Sequence, residues 1–123
     1  MEYRGREIKF LRTIQATCEI ADECPEGEIS KVGSLFTGST HYVTRNMAML
    51  IHVLNKGYEE RKAFDEEGYK PNVISINELM LMDDNDKFNE LFAEAAAAFY
   101  KETPTVEVEP PKKNKKAKAE TLD

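Results

Sequence analysis

The sequence predicts a mainly α-helical domain of about five helices, with a short N-terminal β-hairpin and a disordered C-terminal tail. Three observations predict it. Residues 39–64 carry apolar positions at Val43, Met47, Leu50/Ile51, Leu54 and Tyr58, the three-and-four spacing of one helix face. Residues 88–99 repeat that spacing with Phe88, Leu91/Phe92, Ala95 and Phe99 around an alanine run. After Thr103-Pro104 the chain turns proline- and lysine-rich and loses its aromatic residues. With 123 residues and 41% apolar content the chain supports one core, expected in residues 1–101, and the tail is expected in 102–123.

In order, residues 2–10 (EYRGREIKF) alternate around Arg4-Gly5-Arg6 and fit a hairpin resting on the helices. Leu11, Ile14, Cys18 and Ala21 mark the inner face of a helix over Leu11–Glu23, ended by Cys24-Pro25 because the residue before proline is pushed out of the α region. Ile29, Val32, Leu35 and Phe36 predict a short helix closed by Gly38 in a left-handed cap. Ser39 or Thr40 caps the long helix, and Gly57 predicts a kink or an early end within it. Its inner stripe, Val43-Met47-Leu50-Leu54, is the expected spine of the core, which leaves an outer face for partners. Ser75 and Glu78 form a capping box before a short apolar turn, and Asp83-Asp84-Asn85-Asp86 favours the positive start of the last helix.

The chemical motifs are near misses. Gly33 to Thr40 has P-loop glycine spacing, but Ser39 stands where the phosphate-holding lysine belongs and no strand precedes it. The acids at 83–86 lack the glycine of a calcium loop in either register. His41 and His52 lie about 16 Å apart along one helix and cannot share a metal ion. Carboxylate pairs such as Glu59-Glu60 read as solvated charge. The expectation is a protein with no catalytic residue, no metal and no cofactor. Cys18 and Cys24 are expected as free thiols.

Charge is unevenly distributed. Residues 1–101 hold 12 Lys/Arg against 18 Asp/Glu, while 102–123 balance five against five. An acidic body repels phosphate backbones, which argues against nucleic acid as a partner. No apolar run is long enough for a membrane span and no export signal opens the sequence, so a cytoplasmic location is expected. Lys112, Lys113, Lys115 and Lys116 form a basic cluster flanked by acids, the pattern of a solubilising or partner-seeking tail.

Three stretches carry a family likeness: FLRTIQATCEIADECPEGEI, GYEERKAFDEEGYKP, and FNELFAEAAAAFYKE followed by PTVEVEPPKKNKK. In overall pattern the chain resembles the tail assembly chaperones of long-tailed phages and prophages of Gram-positive bacteria. The resemblance implies a helical, non-enzymatic protein that coats the tape-measure protein in the host cytoplasm and recruits tail-tube subunits, with self-association a further candidate. It also implies a longer product made by frameshifting, for which the paired lysines are candidate slippery codons. Such a coat needs apolar or aromatic side chains left unburied in the monomer. Tyr42, Met49, Tyr58, Tyr69, Phe99 and Tyr100 are the candidates, together with the tail lysines. Other classes consistent with the sequence are a structural or adaptor component of the phage tail and a small protein-binding regulatory module of the host.

Overall fold

The computed structural model describes residues 1–101; the expected tail, with Lys112, Lys113, Lys115 and Lys116, lies outside the described residues. The fold is mainly helical, at 67%, and has five helices and a two-strand N-terminal hairpin. In order these are β1 (Glu2–Tyr3), β2 (Arg6–Glu7), α1 (Ile14–Glu23), a 3-10 helix (Ile29–Phe36), α2 (Thr40–Asp65), α3 (Ile76–Met80) and α4 (Asn85–Tyr100).

Helix α2 runs unbroken for 26 residues, capped by Ser39, whose hydroxyl accepts the Tyr42 N–H at 3.3 Å. It packs against α1, the 3-10 helix, α3 and α4. Surrounded in this way, its middle is buried on more than one stripe: Ala48, Met49, Leu50, Ile51, Val53 and Leu54 are all at most 8% exposed. The expected spine of one stripe was therefore too narrow. Val43 and Met47, nearer the helix start, are only half-buried. Gly57 neither kinks nor ends the helix. A Cβ there would lie 2.4 Å from the Leu11 carbonyl oxygen, so the glycine marks where another chain segment crosses the helix. At that crossing the Leu11 N–H donates to the Leu54 carbonyl at 3.0 Å. The conformational penalty of a helical glycine, about 1 kcal/mol against alanine, is offset by this close approach.

The crossing also relocates the start of α1. Residues 8–13 lie outside any helix or strand, and Thr13 caps α1 by accepting the Ala16 N–H at 3.0 Å. The buried residues are Ala16 and Ile20, followed by Cys24 just past the end. The expected inner face is corrected: Ile14 is 86% exposed, Leu11 37%, and Cys18 is exposed. Thr13 and Ala16 lie beside Gly57 of α2, and as small residues they carry little apolar signal. Cys18 and Cys24 are free, and the buried Cys24 Sγ donates to the Ile20 carbonyl at 3.3 Å. Burial pushes the Cys24 thiol pKa up.

The hairpin pairs Glu2 with Glu7 and Tyr3 with Arg6. Arg4 (φ +52°) and Gly5 (φ +82°) both take the left-handed conformation that a two-residue turn of this twist requires. Strands this short depend on what they rest on. Ile8 is 1% exposed, and Lys87 Nζ on α4 donates to the Glu2 carbonyl at 3.3 Å.

The segment Ile29–Phe36 is a 3-10 helix whose Val32 and Leu35 stack at i and i+3 into the core. Asn46 Nδ2 on α2 donates to the Leu35 carbonyl at 2.9 Å and so satisfies its end. Thr37 is already extended, so Gly38 (φ +125°) is the joint into α2 rather than the expected helix cap. The Ser75–Glu78 capping box is complete, and Glu78 is held below the usual carboxylate pKa, first by the Ser75 N–H and then by Arg6. Asp84 caps α4, which buries Phe88, Leu91, Ala95 and Phe99 at the expected spacing.

Candidate functional site

A polar seam runs down one face of α2 at His52, Asn55 and Glu59, spaced three and four residues apart. Its function is local and physical. The extended segments around Lys9 and Ile74 have no sheet to join, yet their backbone groups are buried and must be paired. Asn55, 0% exposed, donates from Nδ2 to the Lys9 carbonyl at 2.9 Å and accepts the Ile74 N–H on Oδ1 at 2.8 Å. His52 Nδ1 lies 2.8 Å from the Ile74 carbonyl, which can only accept, so that nitrogen carries the proton. Glu59 Oε1 accepts the Tyr69 O–H at 2.5 Å and the Asn72 N–H at 2.9 Å. Glu59 is 4% exposed, which corrects its reading as solvated charge. Among the described residues no Lys or Arg nitrogen lies within 4 Å of it.

The seam opens at its Glu59 end into a cleft of about 250 Å³, with Lys9, Tyr58, Lys62 and Tyr69 among the lining residues. Lys62 Nζ sits 4.9 Å from the centre of the Tyr69 ring, and Lys9 Nζ sits 5.9 Å from that of Tyr58. Each ammonium is drawn to the negative face of the ring. Arg6, also on the rim, is engaged with Asn72 Oδ1 at 2.9 Å and with Glu78 at 3.1 Å. The Tyr69 phenol pKa is pushed up to about 12, chiefly by its hydrogen bond to Glu59 and next by burial. It therefore stays protonated, and a donor, at ordinary pH.

The six aromatic and methionine candidates divide. Tyr58 and Tyr69 come together, half-buried, in this cleft. Tyr42 is 45% exposed at the start of α2, and Tyr100 is 62% exposed at the end of α4. Met49 and Phe99 are corrected: at 8% and 3% exposure they belong to the core. Met49 is enclosed because α1, the 3-10 helix, α3 and α4 all pack against α2. Phe99 lies under the Arg12 guanidinium, 4.1 Å from its ring centre, and its carbonyl accepts from Arg12 Nη1 at 2.7 Å.

The sequence reading missed Glu59, Asn55, Lys9 and Lys62, and also the exposed apolar residues Ile14, Phe64 (85%) and Leu81 (74%). For Phe64 a signal existed. Its helical neighbours Glu60 and Arg61 are charged, which places it on a solvated face. Glu59 gave none, since a glutamate beside another glutamate on a charged helix end is ordinary.

Among the described residues no group of three or more His, Cys, Asp or Glu is placed to hold a metal ion, and no helix is long and apolar enough to cross a membrane. The chain matches no family model, no curated protein and no solved structure. Among the described residues the cleft thus presents Lys9 and Lys62, neither within 4 Å of a carboxylate, over the rings of Tyr58 and Tyr69, while Ile14, Phe64 and Leu81 stand exposed elsewhere.

Proposed function

We propose that the chain is a tail assembly chaperone of a long-tailed phage or prophage. In this reading it binds the tape-measure protein in the host cytoplasm, keeps it soluble and recruits tail-tube subunits, without performing a reaction. The likeness of the three stretches quoted above supports this reading. The observation that carries it is the exposure of Ile14, Phe64, Leu81 and Tyr100, between 62% and 86%, on a body rich in charge. Large apolar side chains held in water on an otherwise solvated surface suit a protein that covers an apolar partner transiently. The surrounding charge keeps the free form in solution.

The test is coexpression with the tape-measure protein of the same phage or prophage. The expected result is that the tape-measure product moves into the soluble fraction and co-purifies. Replacing Ile14 and Phe64 by serine should weaken that effect without unfolding the chain. A tape-measure product that stays insoluble and unbound contradicts the proposal. Retention of the chain in finished particles would instead favour a structural or adaptor component of the tail.

A further inference from the structure

Beside the hairpin, the linings of two clefts reverse the charge balance of this acidic body. Two clefts meet there at Arg6. One, about 290 Å³, is lined by Tyr3, Arg4, Arg6, Glu78 and Leu81. The other is the cleft over Glu59, where the lining adds Lys9 and Lys62 but only two further carboxylates, Glu7 and Glu59. The two linings thus hold four cations against three acids, where residues 1–101 as a whole hold 12 against 18.

The three acids that line the clefts are already engaged. Glu78 is tied to Arg6 and to the Ser75 N–H, at 3.1 and 3.0 Å. Glu7 pairs with the Met1 amino group at 2.5 Å. Glu59 is buried beneath Tyr69 and Asn72. The cations are less committed. Among the described residues Arg4, Lys9 and Lys62 have no carboxylate within 4 Å. Arg4 stands at the tip of the hairpin turn, and the two lysines are steadied over tyrosine rings. Groups placed in advance lose less freedom when they bind. Beside them are the amphipathic surface of Tyr3 and the exposed Leu81.

We infer that this face docks an acidic peptide segment of a partner protein, its carboxylates pairing with Lys9, Lys62 and Arg4 while an apolar side chain rests against Leu81 and Tyr3. Complementary charge selects the occupant. A phosphate backbone carries charge at every step and would also meet the acidic body around the clefts. Separate carboxylates can seat on individual cations. The inference uses only this face and stands whether or not the partner is a tape-measure protein.

The test uses the full chain and two fluorescein-labelled octapeptides, GELEGLEG and its lysine counterpart GKLKGLKG, with anisotropy as readout. The acidic peptide is expected to bind in the micromolar to submillimolar range, and more weakly as salt rises. The pair Lys9→Glu and Lys62→Glu should lower its affinity at least tenfold, while Arg45→Glu, an exposed cation elsewhere on α2, should not. Circular dichroism melting curves establish that each variant is folded. Absence of binding at millimolar peptide, equal binding of the lysine peptide, or affinity unchanged by the paired substitutions would overturn the inference. Tighter binding of a single-stranded oligonucleotide at physiological salt would also overturn it. So would acidic-peptide binding that emerges only after Glu107→Gln and Glu109→Gln, since the chain's own acidic segment would then be the occupant.

Discussion

At Gly57 a single methyl group has opposite effects in an isolated helix and in this protein. In an exposed helix, Gly→Ala stabilises by about 1 kcal/mol. Here the new Cβ would lie 2.4 Å from the backbone oxygen of Leu11, a residue held in place by its own N–H bond to the Leu54 carbonyl. Gly57→Ala should therefore destabilise, by about 1–3 kcal/mol as overpacked sites do, measured by urea denaturation. A stabilised variant would mean that the 8–13 segment does not cross α2 there. Asn55 works in the opposite direction, by supplying contacts. Asn55→Ala leaves the Lys9 carbonyl and the Ile74 N–H without their partner, at about 1–3 kcal/mol for each unsatisfied group. Tyr69 sets a pH limit. Its phenol titrates near 10 in the unfolded chain and at about 12 in the fold. The stabilisation it contributes is complete below pH 10 and is lost as pH rises towards 12. Ultraviolet titration should show one tyrosine ionising well after the others, and Tyr69→Phe should remove that late step.

Among the elements, those with regular apolar spacing and a clear cap were legible in the sequence, and those made by close approach were not. The start of α2 at Ser39, the capping box at Ser75 and the face of α4 followed from residue types at fixed offsets. Helix α1 did not, because Thr13 and Ala16, which meet α2 beside Gly57, are small residues that a search for large apolar side chains passes over. The same search assigned Ile14 to the inside, although it is 86% exposed. The difference is measurable. Ile20→Asp, which buries an unpaired charge, should unfold the protein, whereas Ile14→Lys should change stability by no more than about 0.5 kcal/mol. Helix α3 depends on its cap more than on its length. Ser75→Ala should cost about 1 kcal/mol. The Glu78 carboxylate, whose pKa is lowered in the fold, contributes stability above the ordinary carboxylate pKa. That stability is lost as pH falls through its depressed value.

Among the described residues, α2 is the strut on which α1, the 3-10 helix, α3 and α4 rest, and its buried middle holds both the apolar core and the polar seam. Composition and periodicity predicted such a strut but assigned it an outer, partner-facing side that the fold does not leave free. The most exposed large apolar side chains lie at its end, at Phe64, and on other elements, at Ile14, Leu81 and Tyr100, while the cleft lies beside the hairpin. The cleft there is assembled from residues 6–9, 58–62 and 69–72, stretches distant in sequence. Their convergence depends on the seam, since Asn55 and Glu59 hold the two extended segments against α2. No periodicity reports such a convergence, and for that reason the cleft was not visible in the sequence. The seam is thus the feature that joins fold to candidate function.

Native-state hydrogen exchange at the Ile74 amide tests that role most directly. Ile74 lies outside any helix or strand, and its N–H is bonded only to the Asn55 side chain at 2.8 Å. Protection approaching that of the α2 core amides is expected in the native protein, with a large loss of protection in Asn55→Ala. Exchange at the rate of an unstructured peptide in the native protein, or protection unchanged by the substitution, would contradict the seam.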